Sequence, residues 1–93
     1  MLSKKYYANG QRVYNLEGDR LTFFYKTGRV KAEGNYINGL MEGEWMFYRE
    51  TGQLWQTGSF LHSKKNGRFI RYDRDGNVEF DGVFSNDKLL KRS

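Results

Sequence analysis

The chain has 93 residues, 38% hydrophobic and 17% aromatic, with a formal net charge of +5. That aromatic share excludes a disordered chain, and the length suits one domain with a modest core. Lacking Cys, the sequence excludes disulfides and thiolate metal sites and implies no oxidising compartment.

The basic excess is spread over both halves of the chain, so it would favour an acidic partner without naming one. "MLSKKYYANG" has no apolar signal-peptide region, no apolar run approaches membrane-spanning length, and no Asn-x-Ser/Thr sequon occurs. The expectation is one soluble, cytoplasmic domain over residues 1–93.

The glycines and aromatics recur at a fixed interval. Gly28, Gly52 and Gly76 are 24 residues apart, as are Gly34, Gly58 and Gly82. Phe24, Tyr48 and Tyr72 keep the same period, as do Tyr36, Phe60 and Phe84, and Val30, Leu54 and Val78. Such columns define an internal repeat. In chain order, residues 1–18 read as a shortened capping hairpin, because Tyr6 and Gly10 are spaced like Tyr48 and Gly52. Repeats follow at 19–43, 44–67 and 68–93.

Each unit reads as a β-hairpin. "KTGR", "ETGQ" and "RDGN" separate alternating stretches, and "ANGQ" fits likewise. A three-residue turn ending in a left-handed Gly explains the placement. A two-residue turn remains the alternative and would shift the register by one. The absence of Pro suits strands that need their N–H groups. The three-residue turn sets Phe24 opposite Val30, Tyr48 opposite Leu54 and Tyr72 opposite Val78, aromatic against aliphatic each time.

Strict alternation then predicts one apolar face with Phe24, Val30, Ala32, Gly34, Tyr36, Met46, Tyr48, Leu54, Gly58, Phe60, Ile70, Tyr72, Val78, Phe80, Gly82 and Phe84. Its mid-strand glycines make room for neighbouring rings. The other face mixes Leu21, Phe23, Trp45, Phe47, Trp55 and Phe69 with charges. At the C-terminus, "SNDKLLKRS" suggests a helical turn capped by Ser85. The fold expected is all-β: a single twisted, curled antiparallel meander of seven or eight strands, forming an open sheet.

The hairpin unit resembles the MORN repeat, and most of all its bacterial variant in YwqK-type antitoxin-like proteins. "GEWMFYRETGQLWQTGSF" (43–60) carries the likeness, and "GNYINGLMEGEW" (34–45) resembles the linking segment. The likeness runs over about 19–84, with a weaker copy at 6–18. Ser63 and Asp87 stand in the column of Gly39, and Phe69 and Leu21 in that of Trp45, as terminal capping would produce. The resemblance implies an elongated sheet that binds proteins, in some members a toxin or a membrane surface. It transfers no catalytic residue.

Chemistry is sparse. His62 is the only histidine, so no His pair exists for zinc and no acid–base relay is apparent. "DRDGN" (73–77) has spacing reminiscent of a calcium loop, but its Gly is one position early and no closing Glu follows. It reads as a turn. The glycines form no phosphate-binding loop. Neither a cofactor nor an enzymatic activity is expected.

Two surfaces remain. Trp45, Phe47 and Trp55 form a candidate partner-binding cluster, since exposed aromatics mark interaction surfaces. Lys64, Lys65, Arg68 and Arg71, interleaved with Phe69 and Tyr72, form a candidate anion site for an acidic protein, anionic lipid or nucleic acid. The leading expectation is a non-catalytic protein-interaction module, antitoxin- or immunity-like. The second is a peripheral binder of anionic lipid or nucleic acid. Open sheet edges would allow homo-oligomers.

Overall fold

The computed structural model describes Leu2 and residues 4–93. Met1 and Ser3 of the expected capping unit lie outside the described residues. Eight strands follow one another: β1 (Tyr14–Glu17), β2 (Arg20–Phe24), β3 (Val30–Ile37), β4 (Leu40–Tyr48), β5 (Leu54–Leu61), β6 (Lys64–Tyr72), β7 (Val78–Ser85) and β8 (Lys88–Arg92). Each pairs antiparallel with the next, in one open sheet of order β1-β2-β3-β4-β5-β6-β7-β8. The short turns dictate this meander, because only antiparallel neighbours can be joined by a few residues.

Two kinds of turn alternate. In the first, the N–H of Tyr25, Arg49 and Asp73 donates to the carbonyl four residues on, at 2.8 Å each time. The glycine N–H donates back, and Gly28, Gly52 and Gly76 have φ of 94°, 94° and 86°. Tyr7 to Gln11 repeats the pattern. The three-residue reading is therefore correct and the two-residue alternative is not. In the second kind, two central residues both take positive φ: Asn38-Gly39, His62-Ser63 and Asn86-Asp87. Such turns match the right-handed twist of the strands they join. The last replaces the helical turn expected after Ser85. Asn86-Asp87 instead reverses the chain, and β8 satisfies the backbone edge of β7.

The expected pairs Phe24–Val30, Tyr48–Leu54 and Tyr72–Val78 all form. The face assignment does not follow from them. Phe23 pairs with Ala32, Phe47 with Gln56 and Arg71 with Phe80, so Lys31, Trp55 and Glu79 are extra residues. One bulge residue per repeat reverses the parity of everything beyond it. Leu21, Phe23, Trp45, Phe47 and Phe69 thus join Ala32, Gly34, Gly58, Phe60, Gly82 and Phe84 on one face, through the pairs they form. Phe24, Val30, Met46, Tyr48, Leu54, Ile70, Tyr72 and Val78 lie on the other.

The core is small and lies on the first face. Leu21 and Trp45 are 0% exposed, Phe69 3% and Ala32 6%. The molecule measures 42 × 34 × 18 Å, the thickness of one sheet with its side chains rather than two stacked layers. In a single layer a tryptophan disappears only if its neighbours close over it. Phe23, Tyr36, Met41, Phe47 and Phe60 do so for the Leu21–Ala32–Trp45 cluster.

Side chains also stitch one unit to the next. The hydroxyls of Tyr7 and Tyr25 donate to the carbonyls of Phe24 and Tyr48, and Arg49 donates to that of Tyr72. Asn9, Arg29 and Gln53 reach the turn carbonyls of Lys26, Thr51 and Arg74. At the end of this ladder the Asp73 carboxylate turns inward, accepting from the N–H groups of Asp75 and Asn77. That is the local reason "DRDGN" closes as a turn.

Candidate binding face

The first face presents a row of eight rings. Phe23, Trp45 and Phe47 follow at centroid spacings of 6.3 and 6.4 Å, and Phe47 meets both Trp55 and Phe60 at 6.3 Å. Phe60, Phe69, Phe84 and Phe80 continue it at 5.3, 5.2 and 6.1 Å. The edge-on and tilted geometries are those aromatic quadrupoles favour. Glycines make the row possible: the Trp45 ring sits on Gly34 and the Phe69 ring on Gly58. The Trp45 indole N–H donates to the Asn35 carbonyl at 3.0 Å.

An apolar groove of about 360 Å³ opens beside Trp45, between Phe23, Tyr25, Met41, Phe47 and Trp55. That volume is in the range of ligand and side-chain pockets. Trp55 stands at its rim because it is the bulge residue. The Arg49 and Arg71 guanidinium carbons lie 6.0 and 5.9 Å from its ring centre. Arg71 also lies 5.6 Å from Phe80, and Lys65 lies 5.3 and 4.9 Å from Phe69 and Phe84. The aromatic face is therefore edged by cations resting on rings.

The opposite face carries the ion pairs. Arg20 meets Glu33 at 3.3 Å, and Arg68 holds Asp81 through two hydrogen bonds of 3.0 and 2.7 Å. The Arg68 guanidinium holds the Asp81 carboxyl below the usual carboxylate range, and Asp81 in turn raises Arg68. His62 sits on a turn. Its backbone N–H donates to Glu42 Oε1, and its Nδ1 lies 2.8 Å from Glu42 Oε2. The backbone bond, then the ring, lower the Glu42 carboxyl. His62 is solvent-exposed, as a turn histidine should be.

The expected site residues separate. Trp45 is enclosed and belongs to the scaffold, which corrects its assignment to an exposed cluster: the bulge moves it onto the ring-bearing face. Phe47 and Trp55 are half-buried and in contact at the groove. Lys64, Lys65, Arg68 and Arg71 form no single patch. Lys65 and Arg71 pair with Phe60 and Phe80 on the aromatic face. Arg68 is engaged with Asp81 on the other, and Lys64 is exposed beside the His62-Ser63 turn. Sequence reasoning missed Arg49. Its signal was present, since the same column holds Tyr25 and Asp73.

Residues 20–38 and 41–62 match the family described as MORN repeat variant. Those segments cover β2 and β3, and β4 and β5, so two successive hairpins carry the family pattern. Comparison with curated proteins and with solved structures finds no match.

Proposed function

We propose that this carrier of MORN-variant repeats is a non-catalytic binding module whose protein partner docks on the aromatic face. The observation behind this reading is the apolar groove beside Trp45, rimmed by the half-buried rings of Phe23, Phe47 and Trp55 on one face of a single-layer sheet. Half-buried aromatics lining an apolar concavity are where binding energy concentrates. The cytoplasm is the compartment proposed. An antitoxin- or immunity-like role, with a toxin as partner, is the narrower form, resting on the resemblance of residues 43–60.

The test is affinity capture from the native host with wild type and the Phe47→Ala/Trp55→Ala variant. A partner retained at high salt by wild type and lost by the variant supports the reading. A partner released by modest salt and indifferent to the variant would overturn it in favour of a charge-driven binder. Co-expression with a captured toxin tests the narrower form, where failure to neutralise removes it.

A further inference from the structure

The repeat supplies its own control. Positions that recur every 24 residues build the scaffold, and departures need another reason. Three departures meet at one place. Trp55 stands in the column of Lys31 and Glu79, Arg49 in that of Tyr25 and Asp73, and Arg71 in that of Phe23 and Phe47. Arg71 thus puts a guanidinium where two earlier units put a ring of the aromatic row.

Among the described residues that replacement is met only in part, by the Trp55 and Phe80 rings under Arg71 and the Tyr72 carbonyl at Arg49. The Nε atoms of Arg49 and Arg71 are buried without a hydrogen-bond partner. Leaving a buried charged donor unmet is costly, and such a group calls for an explanation. Glu79, Asp73 and Asp75 border the same hollow, yet none forms an ion pair with either arginine. The three described ion pairs belong to Arg20, His62 and Arg68, away from the ring row. Arg71 rests on the Trp55 and Phe80 rings, which fixes its guanidinium plane. Among the described residues its Nη groups, unlike its Nε, are neither hydrogen-bonded nor enclosed, so they are the donors an anionic partner can reach.

Resting on the protein-partner reading above, we propose that Arg71, with Arg49, recognises a carboxylate of an acidic peptide segment in the partner. The neighbouring apolar side chain of that segment enters the groove between Trp45, Phe47 and Trp55. Charge complementarity selects this occupant. Lys31, the one charged residue lining the apolar groove, and Arg71 against Trp55 at its rim form no ion pair among the described residues and fit an Asp or Glu next to a Phe, Trp or Leu. A purely apolar segment would leave the Arg71 guanidinium without an anionic partner.

The experiment is selection of random twelve-residue peptides displayed on phage against the full chain. Enriched peptides are then titrated against wild type, Arg71→Gln, Arg71→Lys and Trp55→Ala, each first checked for its melting transition. Expected is enrichment of acidic residues adjoining a large apolar one. Affinity should fall at least tenfold in Arg71→Gln and Trp55→Ala, and Arg71→Lys should not restore it. Apolar peptides without acids, or binding unchanged in Arg71→Gln but lost in Trp55→Ala, overturn this inference and leave the protein-partner reading standing. Absence of any Trp55-dependent peptide overturns both. Sedimentation with phosphatidylserine vesicles that Arg71→Gln abolishes, in place of peptide binding, would assign the arginines to a lipid headgroup and likewise overturn it.

Discussion

A Cβ on Gly58 would stand 2.2 Å from Cε2 of Phe69. The ring lies flat against the glycine of the neighbouring strand, on the pair that joins β5 to β6. Gly34 and Trp45 repeat the relationship one unit earlier, with a would-be Cβ 2.4 Å from the indole. These glycines are chosen for space, since neither takes positive φ.

Gly58→Ala should therefore destabilise by overpacking, about 1–3 kcal/mol. With a response of roughly 4–8 °C per kcal/mol for a domain of this size, thermal denaturation will show it clearly. Combining the change with Phe69→Leu, which thins the side chain above, should give a loss smaller than the sum of the two single losses. Additive losses would mean that the ring contact is not the cause.

The period of 24 made the hairpins legible, because turn chemistry and cross-strand pairing are local. Gly28, Gly52 and Gly76 need a left-handed turn, and the pairs at Tyr48–Leu54 and Tyr72–Val78 follow from it. What alternation could not convey was the bulge. Lys31, Trp55 and Glu79 differ in size, charge and polarity, and nothing in their chemistry marks an unpaired residue. A parity error of one residue sent Trp45 to the wrong face. The Arg49–Trp55–Arg71 cluster was harder still, since it joins a turn, a bulge and a strand from adjoining units.

Acid should weaken the fold through Glu42 and Asp81. Both carboxyls are held below their ordinary values, Glu42 chiefly by the His62 backbone N–H and Asp81 chiefly by the Arg68 guanidinium. A carboxyl with a depressed folded value contributes stability that is present above its unfolded value, about 4. That contribution is lost as pH falls through the folded value. Melting temperature should hold near neutral pH and decline below about pH 4, and less so in Glu42→Gln/Asp81→Asn. An equal decline in that variant would place the acid sensitivity elsewhere.

At the alkaline end the sign reverses. Tyr25 is raised above its ordinary value, first by burial, and its hydroxyl donates to the Tyr48 carbonyl at 2.6 Å. Its contribution is present below the unfolded value of about 10 and lost as pH climbs through the raised folded one. Tyr25→Phe should cost about 0.5–1.5 kcal/mol at neutral pH for the lost bond. It should also flatten the alkaline decline in stability. Urea denaturation at pH 7 and pH 11 separates the two effects, and an unchanged alkaline slope would exclude Tyr25 as its source.

The two tryptophans should behave oppositely. Trp45 is fully enclosed, its ring seated on Gly34 and its N–H bonded to Asn35. Trp45→Ala should cost about 3–5 kcal/mol, a large part of the roughly 5–15 kcal/mol that holds a domain folded. Trp55 is an unpaired bulge residue at the groove rim, so Trp55→Ala should shift the melting temperature far less. Emission spectra give an independent reading. Trp55→Phe leaves only the dry indole and should emit to the blue, while Trp45→Phe leaves only the rim indole and should emit to the red. Equal destabilisation by the two alanine changes would mean that Trp55 is covered within the chain. Loss of binding in Trp55→Ala could then no longer be separated from loss of fold.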